Sequence, residues 1–132
     1  DWKVPVFVYG FENRLPEMMR AATLLVTKAG PGTIAEAISA GLPLVLYDRL
    51  PGQEDGNVSY VVQNEVGAWA PGPRRAAEAV AAYLTQPKRI RRASRACLRI
   101  AHPDAASLIV RNVDSLLRDR EKWEVRLSPD PS

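Results

Sequence analysis

The sequence predicts an α/β fold in which a parallel β-sheet is covered by helices on both faces. Short apolar segments with strand-like spacing alternate along the chain with segments whose apolar residues recur at helical spacing. The strand-like segments are apolar on both faces, which is typical of strands buried between two layers of helices. Ligands of such sheets bind at the carboxyl ends of the strands, so we expect function in the loops that follow them.

Four strands are predicted, each from a short apolar run beside turn residues. The first is the β-branched run VPVFVYG, and the others are TLLVT, LVLY and GAWA. These runs cover residues 4–10, 23–27, 44–47 and 67–70.

Six helices are predicted between and after these strands. They cover residues 15–22, 33–40, 58–64, 74–84, 88–101 and 104–118. Gly41 is placed to cap the second helix, and Pro103 suits the first turn of the last one. The last two helices each gather apolar residues on one face, namely Ile90, Ala93, Cys97, Ile100 and Ala101 in one, and Ala106, Ile109, Val110, Val113, Leu116 and Leu117 in the other.

A chain of 132 residues favours one domain, here residues 1–120, and the tail 121–132 is predicted to be disordered. The sequence contains neither a signal-peptide pattern nor an apolar run long enough to span a membrane. Because the chain begins at Asp1 rather than Met, we expect a fragment or a processed product from which any targeting segment is missing.

The net charge of +3 hides a strongly basic helix. Residues 86–101 contain six basic residues and no acid, which leaves −3 on the rest of the chain. This is a local basic face on a mildly acidic body, not the composition of a nucleic-acid-binding protein. The exposed rows that carry Arg91, Arg92 and Arg95 are interpreted either as a solvated helix face or as a surface for anionic lipid headgroups.

Cysteine and histidine are too scarce for several kinds of site. A single cysteine, Cys97, excludes an internal disulfide and a cysteine-rich metal site, and its position on an apolar helix face predicts a buried, inert thiol. The single histidine, His102, precedes Pro103 at a helix start, where a capping or surface role is expected.

The stretch TKAGPGTIAEA joins the second strand to the second helix through two glycines. Such a turn presents backbone N–H groups at the positive end of the helix dipole, an arrangement that binds phosphate. The alternative is a tight turn only, in which Thr33 caps the helix and Glu36 reaches back to form a T-x-x-E capping box.

Three classes of phosphate site compete for this loop. A P-loop fails because Lys28 precedes the glycines instead of following them. A dinucleotide fingerprint, G-x-G-x-x-A, is satisfied from Gly30, and Asp48 follows 18 residues later, near the usual position of a ribose-binding acid. A short helix and a preceding strand–helix unit argue against that NAD(P) class without excluding it.

The third class, a nucleotide-sugar site, is favoured by the polar loop 48–57. Within five residues, from Gln53 to Asn57, this loop offers two amides and two carboxylates, which suit a ligand rich in hydroxyls. The alternative is a hydrated turn whose polar residues only bend the chain.

The stretch TKAGPGTIAEAISAGLPLVLYDRLPGQEDGNVSYVV resembles the donor half of the monogalactosyldiacylglycerol synthases, plastid galactolipid enzymes of glycosyltransferase family 28. The resemblance covers residues 4–118 and rests on the paired motifs K-A-G-P-G-T-I-A-E-A and P-G-Q-E-x-G-N. Bacterial diacylglycerol glucosyltransferases and the lipid II-forming N-acetylglucosaminyl transferase resemble it more distantly. The resemblance implies the C-terminal half of a GT-B glycosyltransferase, a Rossmann-like domain that binds a UDP-hexose.

The resemblance also implies roles for individual residues. The diphosphate would contact Gly30, Pro31, Gly32 and Thr33, with Lys28 as electrostatic support. Glu36 would accept hydrogen bonds from the ribose hydroxyls, and Phe11 and Glu12 would border uracil. The hexose hydroxyls would be held by Gln53, Glu54 and Asn57.

The implied reaction transfers galactose from UDP-galactose to diacylglycerol with inversion, without a cofactor and without a metal in the site. The general base is expected in an N-terminal acceptor domain outside this chain, and His102 matches no motif for it. The expected location is the plastid envelope, as a peripheral or monotopic membrane protein. Another UDP-sugar transferase, with a glucosyl or N-acetylglucosaminyl donor or as a stand-alone donor subunit, remains the alternative.

Overall fold

A computed structural model describes the backbone of residues 4–127 and the side chains of residues 4–118. The chain divides into two compact units, Asp1–Ala101 and His102–Ser132. The first unit contains the strands β1 (Leu25–Lys28), β2 (Leu44–Asp48) and β3 (Gly67–Trp69) and the helices α1 (Leu15–Ala21), α2 (Pro31–Ser39), α3 (Asp55–Gln63), α4 (Gly72–Leu84) and α5 (Pro87–Ile100). The second unit contains the helix α6 (Ala105–Leu127).

The three strands form a parallel sheet in the order β1–β2–β3. Central strand β2 is buried on both sides, because Leu44 and Leu46 pack into one apolar cluster and Val45 packs into another. The first cluster takes side chains from α2, α3 and α5, whereas the second takes Ala76 and Tyr83 from α4. The predicted α/β architecture, with helices on both faces of a parallel sheet, is therefore confirmed.

The predicted first strand, 4–10, is wrong. These residues belong to no strand, and Val8 is 92% exposed. Their β-branched composition fits a strand, but a strand also needs a neighbouring edge whose backbone groups pair with its own. Within the described residues the sheet pairs only β1 with β2 and β2 with β3, so the segment joins neither outer edge of the sheet.

Several predicted helices are confirmed with different ends. Helix α2 begins at Pro31 rather than at residue 33, and α3 begins at Asp55 rather than at 58. Gly41, at a φ of 69°, follows α2, and the N–H groups of Gly41 and Leu42 close the helix on its last carbonyls. The predicted capping role of Gly41 is therefore confirmed.

The basic and C-terminal helices also follow the predicted periodicity. In α5 the predicted apolar face is buried or half-buried, while the arginines at 91, 92, 95 and 99 are exposed. Helix α6 continues to Leu127, through the residues where the disordered tail was predicted to begin, and residues 128–132 of that tail lie outside the described residues. Its predicted apolar face is exposed within its own unit, with Leu116 at 70%.

Candidate functional site

The glycine loop forms the N-terminus of α2, at the carboxyl end of β1. Gly30 is the N-cap residue, Pro31 occupies the first helical position, and Gly32 and Thr33 follow. No side chain caps this helix, so the predicted box between Thr33 and Glu36 is wrong. The helix starts two residues earlier than predicted because Pro31 is pre-organised for the first turn, which places Thr33 inside the helix. The first backbone N–H groups of α2 are therefore left without a side-chain acceptor.

Neither the backbone conformation nor the packing of this loop requires glycine at positions 30 and 32. Gly30 has a φ of −69°, an angle that any residue adopts, and Gly32 lies within the helix. A Cβ atom added at either position would meet nothing within 4 Å. The missing side chains thus leave open space over the positive end of the α2 dipole, where an anion is stabilised.

The second loop is tied to the first by a side chain. Asn57, in the first turn of α3, donates from Nδ2 to the carbonyl oxygen of Ala29 at 2.8 Å. The N–H of Ala29 in turn donates to the carbonyl oxygen of Asp48 at 2.9 Å. Asn57, predicted to hold hexose hydroxyls, therefore positions the glycine loop in this structure through its amide nitrogen.

Gln53 and Glu54, the other predicted hexose ligands, lie beside this link. Gln53 is exposed in the loop that follows β2. Glu54 accepts a hydrogen bond at Oε2 from the N–H of Leu50 at 2.7 Å, which folds the loop back on itself. The structure thus places both residues at the same sheet edge as Gly30, with one oxygen of Glu54 already used by the loop.

Lys28, predicted to support the diphosphate, forms an ion pair with Asp48. Nζ of Lys28 lies 3.1 Å from Oδ2 of Asp48, and Oδ1 accepts from the N–H of Arg49 at 2.8 Å. The hydrogen bond that Lys28 donates to Asp48 raises the pKa of Lys28, and the same bond, with the one from the Arg49 N–H, lowers the pKa of Asp48. Both carboxylate oxygens of Asp48 are occupied, so the acid that a dinucleotide site would offer to ribose is engaged inside the protein.

Three residues at this edge form a cluster that the sequence analysis missed. Arg49 forms an ion pair with Asp55, and its guanidinium lies 5.4 Å from the ring centroid of Trp69. The sequence pattern counted Asp55 only among the polar residues of the loop 48–57, and Trp69 only as part of a strand. Trp69 lies at the carboxyl end of a predicted strand, where ligands of parallel sheets bind. That position could have identified it as a candidate site residue.

Glu36 lines a groove between α1 and α2. Its side chain is exposed, and it borders a cavity of about 280 Å³ together with Pro16, Met19, Arg20, Ala35, Ser39 and Ala40. Glu36 is five positions after Pro31, or about 8 Å further along the helix axis. Glu36 therefore lies on the helix that begins at the glycine loop. It borders a partly apolar groove that the sequence pattern did not predict.

Phe11 and Glu12, predicted to border uracil, are not brought into this cluster. Phe11 is 97% exposed and so packs against almost nothing in this structure. Glu12 accepts hydrogen bonds from the backbone and side chain of Arg14, which lower the pKa of its carboxyl. Both residues lie in the segment that leads into α1.

A separate basic surface lies at the amino-terminal end of the strands, beside the turn that leads from α3 into β3. Glu65 adopts a φ of 59° and pairs with Arg92 of α5 at 2.5 Å. Two cavities open here, one of about 490 Å³ and one of about 370 Å³. Both are lined by Glu65, Lys88 and Arg92, and Arg91, Arg95 and Arg99 line the smaller one.

Other kinds of site find no support in the described residues. Across that part of the chain, no three His, Cys, Asp or Glu side chains gather closely enough to hold a metal ion. Of the helices the structure describes, none is both long and apolar enough to cross a membrane. Cys97 is buried, as predicted, and burial raises the pKa of its thiol to about 11.

Sequence similarity relates this chain to one family of known proteins. Residues 3–96 match the family model of the glycosyltransferase family 28 C-terminal domain. The chain is 41% identical to monogalactosyldiacylglycerol synthase 3, chloroplastic, of Arabidopsis thaliana over 123 residues, which are 92% of this chain and 26% of that protein. It is 47% identical to the probable monogalactosyldiacylglycerol synthase 2, chloroplastic, of Oryza sativa subsp. indica over 116 residues, which are 87% of this chain and 25% of that protein.

The synthase of Spinacia oleracea, also chloroplastic, is 42% identical over 121 residues, which are 91% of this chain and 23% of that protein. The chain thus spans about a quarter of the length of the relatives it matches. The family match covers both the glycine loop and the loop after β2, together with all three strands. The chain belongs to the glycosyltransferase family 28 C-terminal domain family.

Proposed function

We propose that this chain is the UDP-hexose-binding domain of a 1,2-diacylglycerol 3-β-galactosyltransferase, which transfers galactose from UDP-galactose to diacylglycerol with inversion. One observation carries the proposal: an uncapped, glycine-lined helix N-terminus faces open space at the sheet edge where Gln53 and Glu54 also lie. The names of the similar proteins supply the reaction.

The diphosphate of the donor would bind at the N-terminus of α2. Backbone N–H groups of Gly32 and Thr33, and the Thr33 hydroxyl, can donate to its oxygens, because no side chain among the described residues 4–118 accepts from them. Pro31 keeps the first turn rigid, and Gly30 leaves room for a close approach. Lys28 adds positive charge nearby, although Asp48 partly neutralises it.

The nucleoside would lie along the groove between α1 and α2. Glu36 can accept hydrogen bonds from the two ribose hydroxyls, while Met19 and Ala35 offer apolar walls. Phe11 and Glu12 would border the base by a movement of their exposed segment. An exposed phenylalanine is the kind of side chain that gains from covering a ring.

The hexose would be held by the loop after β2. Gln53, the free oxygen of Glu54 and the amide oxygen of Asn57 can bind neighbouring hydroxyls in pairs. This composition suits hexoses in general, and the choice of galactose over glucose rests on the names of the similar proteins.

This domain would contribute to catalysis by stabilising the leaving group. As the bond between galactose and phosphate breaks, negative charge develops on the diphosphate, and the α2 N-terminus stabilises it electrostatically. The acceptor hydroxyl must also lose a proton to a general base. That base would come from an N-terminal acceptor domain, which matches the chain's share of about a quarter of its relatives.

The intact enzyme would work at the plastid envelope, in keeping with the word chloroplastic in the names of the similar proteins. Six basic residues on α5 carry the charge that anionic headgroups attract. Five of them line one cavity, namely Lys88, Arg91, Arg92, Arg95 and Arg99. Of these, Arg92 forms an ion pair with Glu65. We therefore assign the α5 face to an anionic lipid surface.

Calorimetric titration with UDP, UDP-galactose and NAD tests the donor site, beside a Glu36→Gln variant. We expect both uridine ligands to bind, NAD not to bind, and the substitution to weaken binding about fivefold to tenfold, the value of one or two hydrogen bonds. Binding of NAD, or no uridine binding, would overturn the proposal. Titration with UDP-glucose and UDP-N-acetylglucosamine separates the alternative donors.

A further inference from the structure

Arg49 makes three contacts at the edge of the sheet that carries the candidate site. Its backbone N–H donates to Asp48, its side chain forms an ion pair with Asp55, and its guanidinium lies 5.4 Å from the ring centroid of Trp69. These partners come from the end of β2, the start of α3 and the end of β3. Its side chain is 35% exposed.

Asp55 links the side chain of Arg49 to the backbone of the loop. One carboxylate oxygen, Oδ1, pairs with Arg49, and the other, Oδ2, accepts from the N–H of Gly52 at 2.9 Å. Gly52 lies directly before Gln53. Two residues on, Glu54 folds back onto the N–H of Leu50 at 2.7 Å. The conformation of the loop from Leu50 to Glu54 therefore depends on where Asp55 is held.

We propose that Arg49, Asp55 and Trp69 form a clamp that positions Gln53 and Glu54 for the hexose of the donor. The clamp rests on the proposed function, because it gives that function's sugar subsite its geometry. Its members are positioning residues, since they act through the loop and not on the reacting atoms. The diphosphate and nucleoside subsites lie on α2 and do not use the clamp.

The alternative is that these contacts only stabilise the fold. The exposure of both side chains argues against that, with Arg49 at 35% and Asp55 at 50%, because ion pairs in water contribute little to global stability. A local role predicts a local effect: binding of the sugar should change while the rest of the domain does not.

The test compares the affinities of UDP and UDP-galactose in the full 132-residue chain. We expect Asp55→Ala to weaken UDP-galactose roughly fivefold to tenfold, because the loop loses its anchor and the hexose loses one or two hydrogen bonds. UDP, which has no hexose, should bind within about twofold of the parent. Arg49→Gln keeps the backbone contact to Asp48 and removes the ion pair, so it should give the same split.

Glu78→Ala is the matched control, because Glu78 is an exposed carboxylate paired with Arg74 on α4. It should leave both affinities unchanged. Equal loss of both ligands in Asp55→Ala and Arg49→Gln, or no loss of either, would overturn the clamp alone. A parent chain that binds neither uridine ligand would overturn the proposed function together with the clamp. If Asp55→Ala does not fold, judged by thermal unfolding, Arg49→Gln decides.

Discussion

The side-chain amide of Asn57 donates to the carbonyl oxygen of Ala29 across 28 residues of sequence, at 2.8 Å. Ala29 is completely buried, and its N–H donates to the carbonyl oxygen of Asp48, so Ala29 is held at both its N–H and its carbonyl group. Through this one bond the start of α3 sets the orientation of the glycine loop. A residue that we propose to touch the sugar therefore also positions the loop where we place the diphosphate.

Asn57→Asp should destabilise the domain more than Asn57→Ala. The carboxylate would face the Ala29 carbonyl oxygen, acceptor against acceptor, whereas alanine only leaves that oxygen without its donor. We expect a loss of about 1 kcal/mol for alanine and about 2–3 kcal/mol for aspartate. Urea unfolding measures both values. Asn64→Ala, which removes an amide donor to Tyr60 within one helix, is the control and should cost less.

Equal stability of the two Asn57 variants would show that the bond does not constrain the loop. In that case uridine binding should also be unchanged. If the bond is structural as described, both variants should weaken UDP as well as UDP-galactose, since the glycine loop itself moves. This response differs from that of the clamp variants, which should affect only the sugar nucleotide.

Gly32→Ala should separate stability from binding. The position is helical with nothing within 4 Å of a new Cβ atom, so alanine should stabilise α2 by roughly 0.5–1 kcal/mol. The same methyl group would stand over the helix N-terminus, where we place the diphosphate, and UDP affinity should fall tenfold or more. Thermal unfolding and calorimetry on one preparation measure both effects.

A matched glycine makes this result interpretable. In Gly67→Ala, the new Cβ atom would meet the carbonyl oxygen of Leu44 in the neighbouring strand, so this variant should lose stability instead of gaining it. Gly32→Ala with full UDP affinity would place the diphosphate elsewhere.

The ion pair of Lys28 and Asp48 predicts a pH window for stability. Asp48 has a lowered pKa in the folded state, so its contribution is present above the unfolded value, about 4, and is lost as the pH falls through the folded value. Lys28 has a raised pKa, so its contribution is present below about 10.4 and is lost as the pH rises through the folded value. The parent and a Lys28→Gln variant should therefore differ near neutrality and converge at strongly acidic pH.

Urea unfolding of both proteins across this range measures the difference. Arg118→Gln, in an exposed pair with Asp114 on α6, controls for loss of any surface charge. A difference between parent and Lys28→Gln that persists at strongly acidic pH would show that Lys28 stabilises the domain through something other than the Asp48 carboxylate.

The sequence was sufficient for the elements whose determinants are local or periodic. Strand β2 and the buried face of α5 follow from apolar patterns, and Gly41 from the positive φ that a helix end requires. Segment 4–10 has the same local composition as a strand, but pairing depends on a neighbouring edge that composition does not reveal. The capping box failed for a related reason, because Thr33 and Glu36 had the right spacing but the helix starts at Pro31.

The candidate site could be predicted only as far as single loops. Gly30, Gln53 and Glu54 were expected at one sheet edge because the carboxyl ends of parallel strands meet there. The links from Asn57 to Ala29 and from Arg49 to Trp69 join residues that are 28 and 20 positions apart. Such contacts depend on strand order and register, which the order β1–β2–β3 fixes and the sequence pattern does not.

Glu65 should tolerate glycine better than alanine. It holds a φ of 59° after α3, where the N–H groups of Glu65 and Val66 close the helix on Val62 and Val61. Both substitutions remove the pair with Arg92, but only alanine keeps a Cβ atom in the left-handed conformation. We expect Glu65→Gly to be more stable than Glu65→Ala by about 1 kcal/mol in urea unfolding. The reverse order would mean that residue 65 leaves this conformation once its carboxylate is gone.

The same carboxylate should oppose lipid binding by α5. Glu65 is the acid that faces both basic cavities, so Glu65→Gln should strengthen binding to vesicles that contain anionic phospholipid. The triple change of Arg91, Arg92 and Arg95 to glutamine should weaken it, by about 1 kcal/mol for each charge near the surface, and added salt should reduce the difference. Vesicle co-sedimentation with and without anionic lipid measures both. Arg74 and Arg75 of α4 changed to glutamine form the control for total charge. Equal losses per charge removed, over two charges in the control and three in the triple variant, would assign the attraction to net charge and remove the α5 surface.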